Sequence, residues 1–225
     1  MSKEQSKTLF YTQGEEEVLK NLDTSVDGLS TAQAKERLDA YGYNELDEGE
    51  KRSLLSKFID QFKDLMIIIL LVAAALSVIT EGMHGLTDAC IILAVVVLNA
   101  AFGVYQEGQA EAAIEALKNM SSPMARVRRD GHVVEIDLRE LVPGDIVLLE
   151  AGDVVPADMR LLEAASLKIE EAALTGESVP VEKDVTETVE AEAGIGDRVN
   201  MGYQNSNVTY GRGTGVVTNT GMYTE

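Results

Sequence analysis

The chain has 225 residues, enough for one or two domains, with 19 basic and 38 acidic side chains and a formal charge of −19. That balance excludes a nucleic-acid binder, which needs clustered Lys and Arg to meet phosphates. The single cysteine, Cys90, excludes an internal disulfide and a Cys-based zinc site.

The N-terminus, MSKEQSKTLF, has no apolar signal-peptide core. A short helix is expected around Glu15 to Leu22, and a clearer one in LSTAQAKERLDAYGYNEL. There Ser30 and Gln33 form a capping box. Ala34, Leu38 and Tyr41 make one apolar stripe, and Gly42 stands where a left-handed C-cap residue belongs. The stretch NELDEGEKRS then reads as a charged linker.

Two charge-free runs follow, Leu65 to Thr80 and Ala89 to Tyr105. Each is slightly short of the roughly 20 residues that span a bilayer, and Phe58, Ile59, Phe62 and Leu86 extend them. A pair of buried core helices would look similar, but two such runs so close together favour a transmembrane hairpin. The connecting EGMHGLTD has no Lys or Arg, whereas Lys51, Arg52, Lys57 and Lys63 precede the first run. Lys118, Arg126, Arg128 and Arg129 follow the second. The short loop is therefore expected outside and both long flanks in the cytoplasm. Asn99 reads as an interhelical hydrogen-bonding group, with ion binding as the alternative. Cys90, in an apolar run, is expected to be a small buried side chain. His84 and His132 belong to no ligand pattern.

The second run leads into QEGQAEAAIEALKNM, rich in strong helix formers, which carries the helix onward until Pro123 ends it. From Met124 the pattern changes to period two. ARVRRDGHVVEIDL reads as a hairpin turning at Asp130-Gly131. LVPGDIVLLEAGDVVPADMRLLEA alternates turns with short β-branched runs. SLKIEEAAL reads as a strand leading into LTGESVP, VEKDVTETVEAEAGIGDR as a solvated acidic loop, and NMGYQNSNVTYGRGTGVVTNTG as further strands. The fold class is α+β: a two-helix membrane hairpin with a β-rich cytoplasmic domain joined by N-terminal helices. The expected divisions are 1–50, 51–118 and 119–225.

LTGESVP, taken alone, reads most simply as an exposed turn. Gly176 permits a backbone closed to other residues, and Glu177 projecting from such a turn has the posture of a general base.

Together, EAAIEALK, VPGDIV, GDVVPADMRLL, LTGESVPVEK and the stretch from Asn200 to Glu225, in this order behind two apolar runs, resemble the N-terminal portion of the P-type cation-transporting ATPases. The branch they are most similar to is the sarcoplasmic-reticulum-type calcium pumps. QFKDLMIIILLVAAALSVI and LNAAFGVYQEGQAEAAIEALK resemble that branch's first two membrane helices. The likeness runs from about residue 10 to the end.

The resemblance implies an actuator domain whose Thr-Gly-Glu-Ser loop swings against a phosphorylated aspartate on another domain. It makes Glu177 the carboxylate that activates water. Thr175 and Gly176 shape the loop and approach the phosphate, and Ser178 holds its geometry. Pro143, Gly144, Asp145, Asp153, Pro156, Ala157 and Asp158 read as turn-setting scaffold. Ala172 stands where the family often has Ser, and Asn205 where it often has Gly. Asn tolerates left-handed backbone, so the fold is expected to be kept.

The family's Asp-Lys-Thr-Gly sequence does not occur here. The chain is therefore expected to be one part of a pump, inactive alone. ATP and Mg2+ would bind to absent domains, and Ca2+ would be the transported ion. Its implied partners are the phosphorylation and nucleotide-binding domains, the remaining membrane helices and the lipid bilayer, with no nucleic acid. The implied location is the plasma membrane, with both chain ends cytoplasmic. Two alternatives stay open: the same family moving Na, H, Mg or Mn, or a non-catalytic membrane-anchored regulatory or binding module.

Overall fold

The structure, a computed structural model, describes residues 8–46, 53–120, 123–187 and 189–225. Most of the expected linker Asn44 to Ser53, with Lys51 and Arg52, lies outside the described residues, as does the side chain of Lys118. The chain divides into two units, Met1–Asp47 with Ser122–Glu225, and Glu48–Ser121.

The first unit begins with two helices, α1 (Glu15–Asn21) and α2 (Thr31–Tyr41). The Ser30 hydroxyl accepts the Gln33 amide and the Gln33 side chain accepts the Ser30 amide, completing the expected capping box. Gly42 then ends the helix with φ +81°. Ala34 and Leu38 pack with Leu29 and Val142, while Tyr41 stays only half-buried. The expected stripe therefore docks through two of its three residues.

Among the described residues seven strands form one sheet: β1 (Met124–Arg129), β2 (His132–Asp137), β3 (Ile146–Glu150), β4 (Asp158–Glu170), β5 (Val181–Glu182), β6 (Met201–Gly202) and β7 (Asn207–Asn219). Their order is β2-β1-β3-β7-β4-β5, with β6 also on β4, and every strand pair is antiparallel. Asp130 (φ +52°) and Gly131 (φ +74°) turn the first hairpin, two successive positive φ values that match the twist of its strands.

Successive side chains on a strand point to opposite faces, and this sheet buries both. Val147, Leu161 and Val217 join one core with Val127, Met159 and Ile169. Their neighbours Ile146, Leu162 and Val216 join another, with Phe10, Tyr11, Val18 and Leu22 from the N-terminal segment. The segment from Phe10 through α1 thus completes the second core, while α2 docks separately on Leu29 and Val142.

The Pro143-Gly144-Asp145 turn is where these layers are pinned. Arg37 Nη1 donates to Leu22 O (2.7 Å) and Pro143 O (2.8 Å), and Nη2 to Asp23 O (2.9 Å). Gly144 has φ +96°, and a Cβ there would lie 2.3 Å from Arg37 Nη1. Asp145, fully buried, accepts Arg129 through both carboxylate oxygens (2.8 and 2.7 Å) and also the Val142 amide (3.0 Å). Asn205 sits at φ +65°, the left-handed conformation expected of it.

The second unit is helical: α3 (Leu54–Gln61), α4 (Leu65–Glu81) and α5 (Met83–Met120). Met83–Leu117 is long and apolar enough to cross a membrane; α4 meets that test only together with α3, from which it is bent by 64°. The break is local chemistry. Asp64 adopts extended backbone and its side chain accepts the Met66 amide at 2.8 Å, starting a new helix. Helices α4 and α5 lie side by side, closely enough that a Cβ on Gly85 would sit 2.1 Å from Ser77 O. Lys57 on α3, mostly buried, pairs with Glu111 on α5 at 2.5 Å. The outer faces of α4 and α5 expose Ile69, Ile79, Leu98 and Phe102. Cys90 is also exposed, contrary to expectation; an apolar run does not by itself say which face of its helix is covered. Helix α5 runs unbroken from its apolar half into the polar QEGQAEAAIEALKNM and stops at Met120, ahead of Pro123.

Candidate functional site

The LTGESVP segment leaves the end of β4. The expected strand stops at Glu170, and Ala172–Thr175 form a single helical turn, α6. The strand reading failed there because Ala-Ala-Leu favours helix once the ladder partner is gone. The Glu171 carbonyl receives three donors: the Leu174 amide (2.9 Å), the Thr175 amide (3.0 Å) and the Thr175 hydroxyl (3.1 Å). Gly176 then ends the turn in the left-handed region (φ +77°, ψ 0°), and its amide donates to Ala172 O. A Cβ on Gly176 would meet open space, so the requirement for glycine there is one of backbone conformation.

Thr175 braces the residue two positions on: its Oγ1 accepts the Glu177 amide at 3.2 Å. Glu177, Ser178 and Val179 are exposed at the tip. The structure thus brings Thr175, Gly176, Glu177 and Ser178 together on one projecting loop. The hydroxyl that braces the loop is that of Thr175.

Beneath the tip lie groups that the sequence analysis did not single out. Glu171 Oε1 and Lys183 Nζ form an ion pair at 2.6 Å, both side chains out of solvent. Burial raises the Glu171 carboxyl and lowers the Lys183 amine from their ordinary values, each opposed by the other's charge. Among the described residues Glu171 Oε2 has no hydrogen-bond partner. Leu174 packs onto the second core beside Ala193, Ile195 and Val199. In the short turn Ile195–Asp197, a Cβ on Gly196 would lie 3.2 Å from Thr175 Cγ2.

The acidic stretch after Lys183 is therefore anchored as well as solvated. Val189 is buried, the Tyr11 hydroxyl donates to Ala191 O at 2.9 Å, and Asn200 Nδ2 donates to Tyr11 O at 2.8 Å. Arg198 stacks 4.2 Å above the Tyr11 ring. Arg160, also buried, donates to the carbonyls of Leu161, Asn200, Gln13 and Val185. Its guanidinium knits the acidic stretch to β4, and burial lowers its pKa. The signal for these anchors was faint: one Val in a run of acids, and charged residues whose partners lie far along the chain. Among the described residues no group of three or more His, Cys, Asp or Glu is placed to hold a metal ion.

Asp158, at the start of β4, is buried and accepts the amides of Gln204 (2.9 Å) and Glu225 (2.8 Å). Desolvation outweighs both bonds and pushes its pKa up to about 6. A carboxyl raised by folding favours the folded state below its unfolded value near 4, and that contribution is lost as pH rises through about 6. Relative to Asp158→Asn, which cannot ionise, the wild-type chain should lose up to about 3 kcal/mol of stability between pH 4 and pH 7. Amide exchange in β4 and β7 at the two pH values measures this; a difference that does not change with pH would contradict it.

Two family models cover most of the chain. One described as "P-type ATPase actuator domain" matches residues 119–225, and one described as "Cation transporter/ATPase, N-terminus" matches residues 10–77. The chain is 45% identical to "Calcium-transporting ATPase 1" of Bacillus cereus over 95% of its own length and 24% of the relative's. It is 44% identical to "Calcium-transporting ATPase" of Bacillus subtilis over 96% and 24%. It is 45% identical to "Probable cation-transporting ATPase F" of Mycobacterium tuberculosis over 88% and 21%. The chain thus spans about a quarter of the length of these curated relatives.

Proposed function

The chain belongs to the P-type ATPases, homologous to their N-terminal portion, and from that premise we infer that it supplies the actuator domain and first membrane hairpin of an ATP-driven calcium pump. The observation that supports this most is the LTGESVP loop: a bare carboxylate, Glu177, held out from a base tied down by backbone hydrogen bonds and a buried ion pair. Such a group is suited to act on a substrate carried by another domain.

The reaction assigned to it is hydrolysis of an aspartyl phosphate. A water oxygen attacks phosphorus, the bond from phosphorus to the aspartate oxygen breaks, and the water's proton passes to Glu177. Positioning and proton acceptance are what this attack needs. Thr175 and Gly176 set the approach of the loop, and Ser178 lies beside Glu177 at the tip. The phosphorylated aspartate, ATP and Mg2+ belong to parts of the pump outside this chain, and Ca2+ is the cargo. This chain alone should form no phosphoenzyme.

Helix α4 and the apolar half of α5 are assigned as the hairpin, with the residues around Gly85 outside and the β-rich unit in the cytoplasm. The plasma membrane is the location that follows. The exposed apolar faces of both helices and the lack of Lys and Arg between them support this. Asn99, halfway along α5, is left as a hydrogen-bonding group between helices.

The calcium assignment rests on the names of the relatives, one of which specifies only a cation. Inside-out vesicles bearing the full-length pump should take up labelled Ca2+ when given ATP and Mg2+. Uptake of another cation instead, with no calcium accumulation, would keep the family and overturn the ion.

A further inference from the structure

We propose that the buried ion pair between Glu171 and Lys183 is a clasp that sets the position of Glu177, making both positioning residues for the hydrolytic step. This rests on the reading of Glu177 as the group that activates water.

Glu177 lies six residues after Glu171 and six before Lys183, so the pair closes the loop at its base with the carboxylate at the midpoint. Each member is tied into the fold through its backbone as well. Glu171 O takes three hydrogen bonds from the loop's first turn, and the Lys183 amide donates to Leu167 O at 2.9 Å on β4. A shift in the pair therefore moves both ends of the loop. Nearer the tip the loop is held by backbone pairing of Val181 with Ile169 on β4 and by the Thr175 hydroxyl on the Glu177 amide; among the described residues the side chains of Glu177 and Ser178 make no hydrogen bond of their own.

The chemistry of the pair also argues for position. Two apolar side chains of similar volume would hold a buried site together as well as an ion pair does, without its desolvation cost. Here that cost is increased by Glu171 Oε2, buried without a partner among the described residues. What an ion pair supplies and a greasy contact does not is a fixed length and direction, in this case 2.6 Å between two named atoms. A misplacement of about 1 Å at a reacting group costs on the order of 100-fold in rate.

The test uses the complete pump and follows phosphoenzyme formation and decay separately. The double variant Glu171→Met/Lys183→Met removes both charges at similar volume. It should fold with an unchanged unfolding midpoint and form phosphoenzyme at the normal rate, but its phosphoenzyme should decay about tenfold or more slowly. The reversed pair, Glu171→Lys/Lys183→Glu, should recover most of the loss. Glu171→Asp, which keeps the charge and shortens the arm by one methylene, covers the case in which the double variant fails to fold. It too should slow decay and leave formation alone.

Wild-type decay in the double variant or in Glu171→Asp, alongside slow decay in Glu177→Gln, would reduce the pair to packing and overturn the clasp. Wild-type decay in Glu177→Gln itself would remove the assignment of that carboxylate, and the clasp with it.

Discussion

Replacing Glu177 by Gln in a complete pump carrying this sequence should slow breakdown of the aspartyl phosphate by about 100- to 10,000-fold, the usual cost of losing a general base. Formation of the phosphate from ATP should be unaffected. The amide keeps the shape of the side chain but cannot accept the water's proton. Nor can the effect come through the fold: Glu177 is exposed, and its side chain holds nothing in place. An exposed Glu-to-Gln exchange usually changes stability by less than about 0.5 kcal/mol, so the whole loss belongs to chemistry. Phosphoenzyme should accumulate and ion transport should stop. The measurement is decay of labelled phosphoenzyme after a chase with unlabelled ATP. Decay at the wild-type rate would show that another group activates the water.

The second large effect is on stability. Asp145→Ala should destabilise the β-rich unit by about 3–5 kcal/mol, as breaking a buried pair from one side does. The substitution leaves the Val142 amide without its acceptor and the Arg129 guanidinium without its counter-ion, with the Glu140 carbonyl (3.1 Å) still accepting from it. In a unit of this size it should lower the unfolding midpoint by about 10 °C. Adding Arg129→Met should restore part of the loss, because the stranded cation goes with it. Arg129 keeps some contact with solvent, its side chain being 12% exposed against 0% for Asp145, which places the expected cost toward the lower end. A shift of less than about 2 °C would mean that the turn is held by its backbone and by Arg37 alone.

What could be read in the sequence was mostly local. The Ser30–Gln33 capping box, the Asp130-Gly131 turn, the left-handed Asn205 and the long helix through QEGQAEAAIEALKNM each depend on residues a few positions apart. The loop with Glu177 was legible because its glycine and its motif are contiguous. What escaped depends on who meets whom. Glu171 and Lys183 look like surface charges until folding buries them together. Val189 looks incidental in an acidic loop until Tyr203 and Met201 pack beside it. The first apolar run looked like one helix entering from Phe58, but Asp64 caps a new helix and bends the pair. Cys90 was assigned by the character of its neighbours, and only the structure says which side of α5 is covered.

The β-rich unit is assembled from both sides of the helical one, and this sets the order in which it can be made. Tyr11 O accepts Asn200 Nδ2 from 189 positions away, and the core that takes up Phe10, Tyr11 and Val18 also needs Met201, Tyr203 and Val216. A ribosome adds about 5–20 residues each second. The N-terminal helices therefore spend roughly ten seconds or more without the surface they cover. During that interval the whole of α4 and α5 is synthesised and must be housed. Short isolated helices such as α1 and α2 hold little structure alone in water. These early-made residues are thus among the last to find their place, and their apolar side chains are the ones a chaperone would meet.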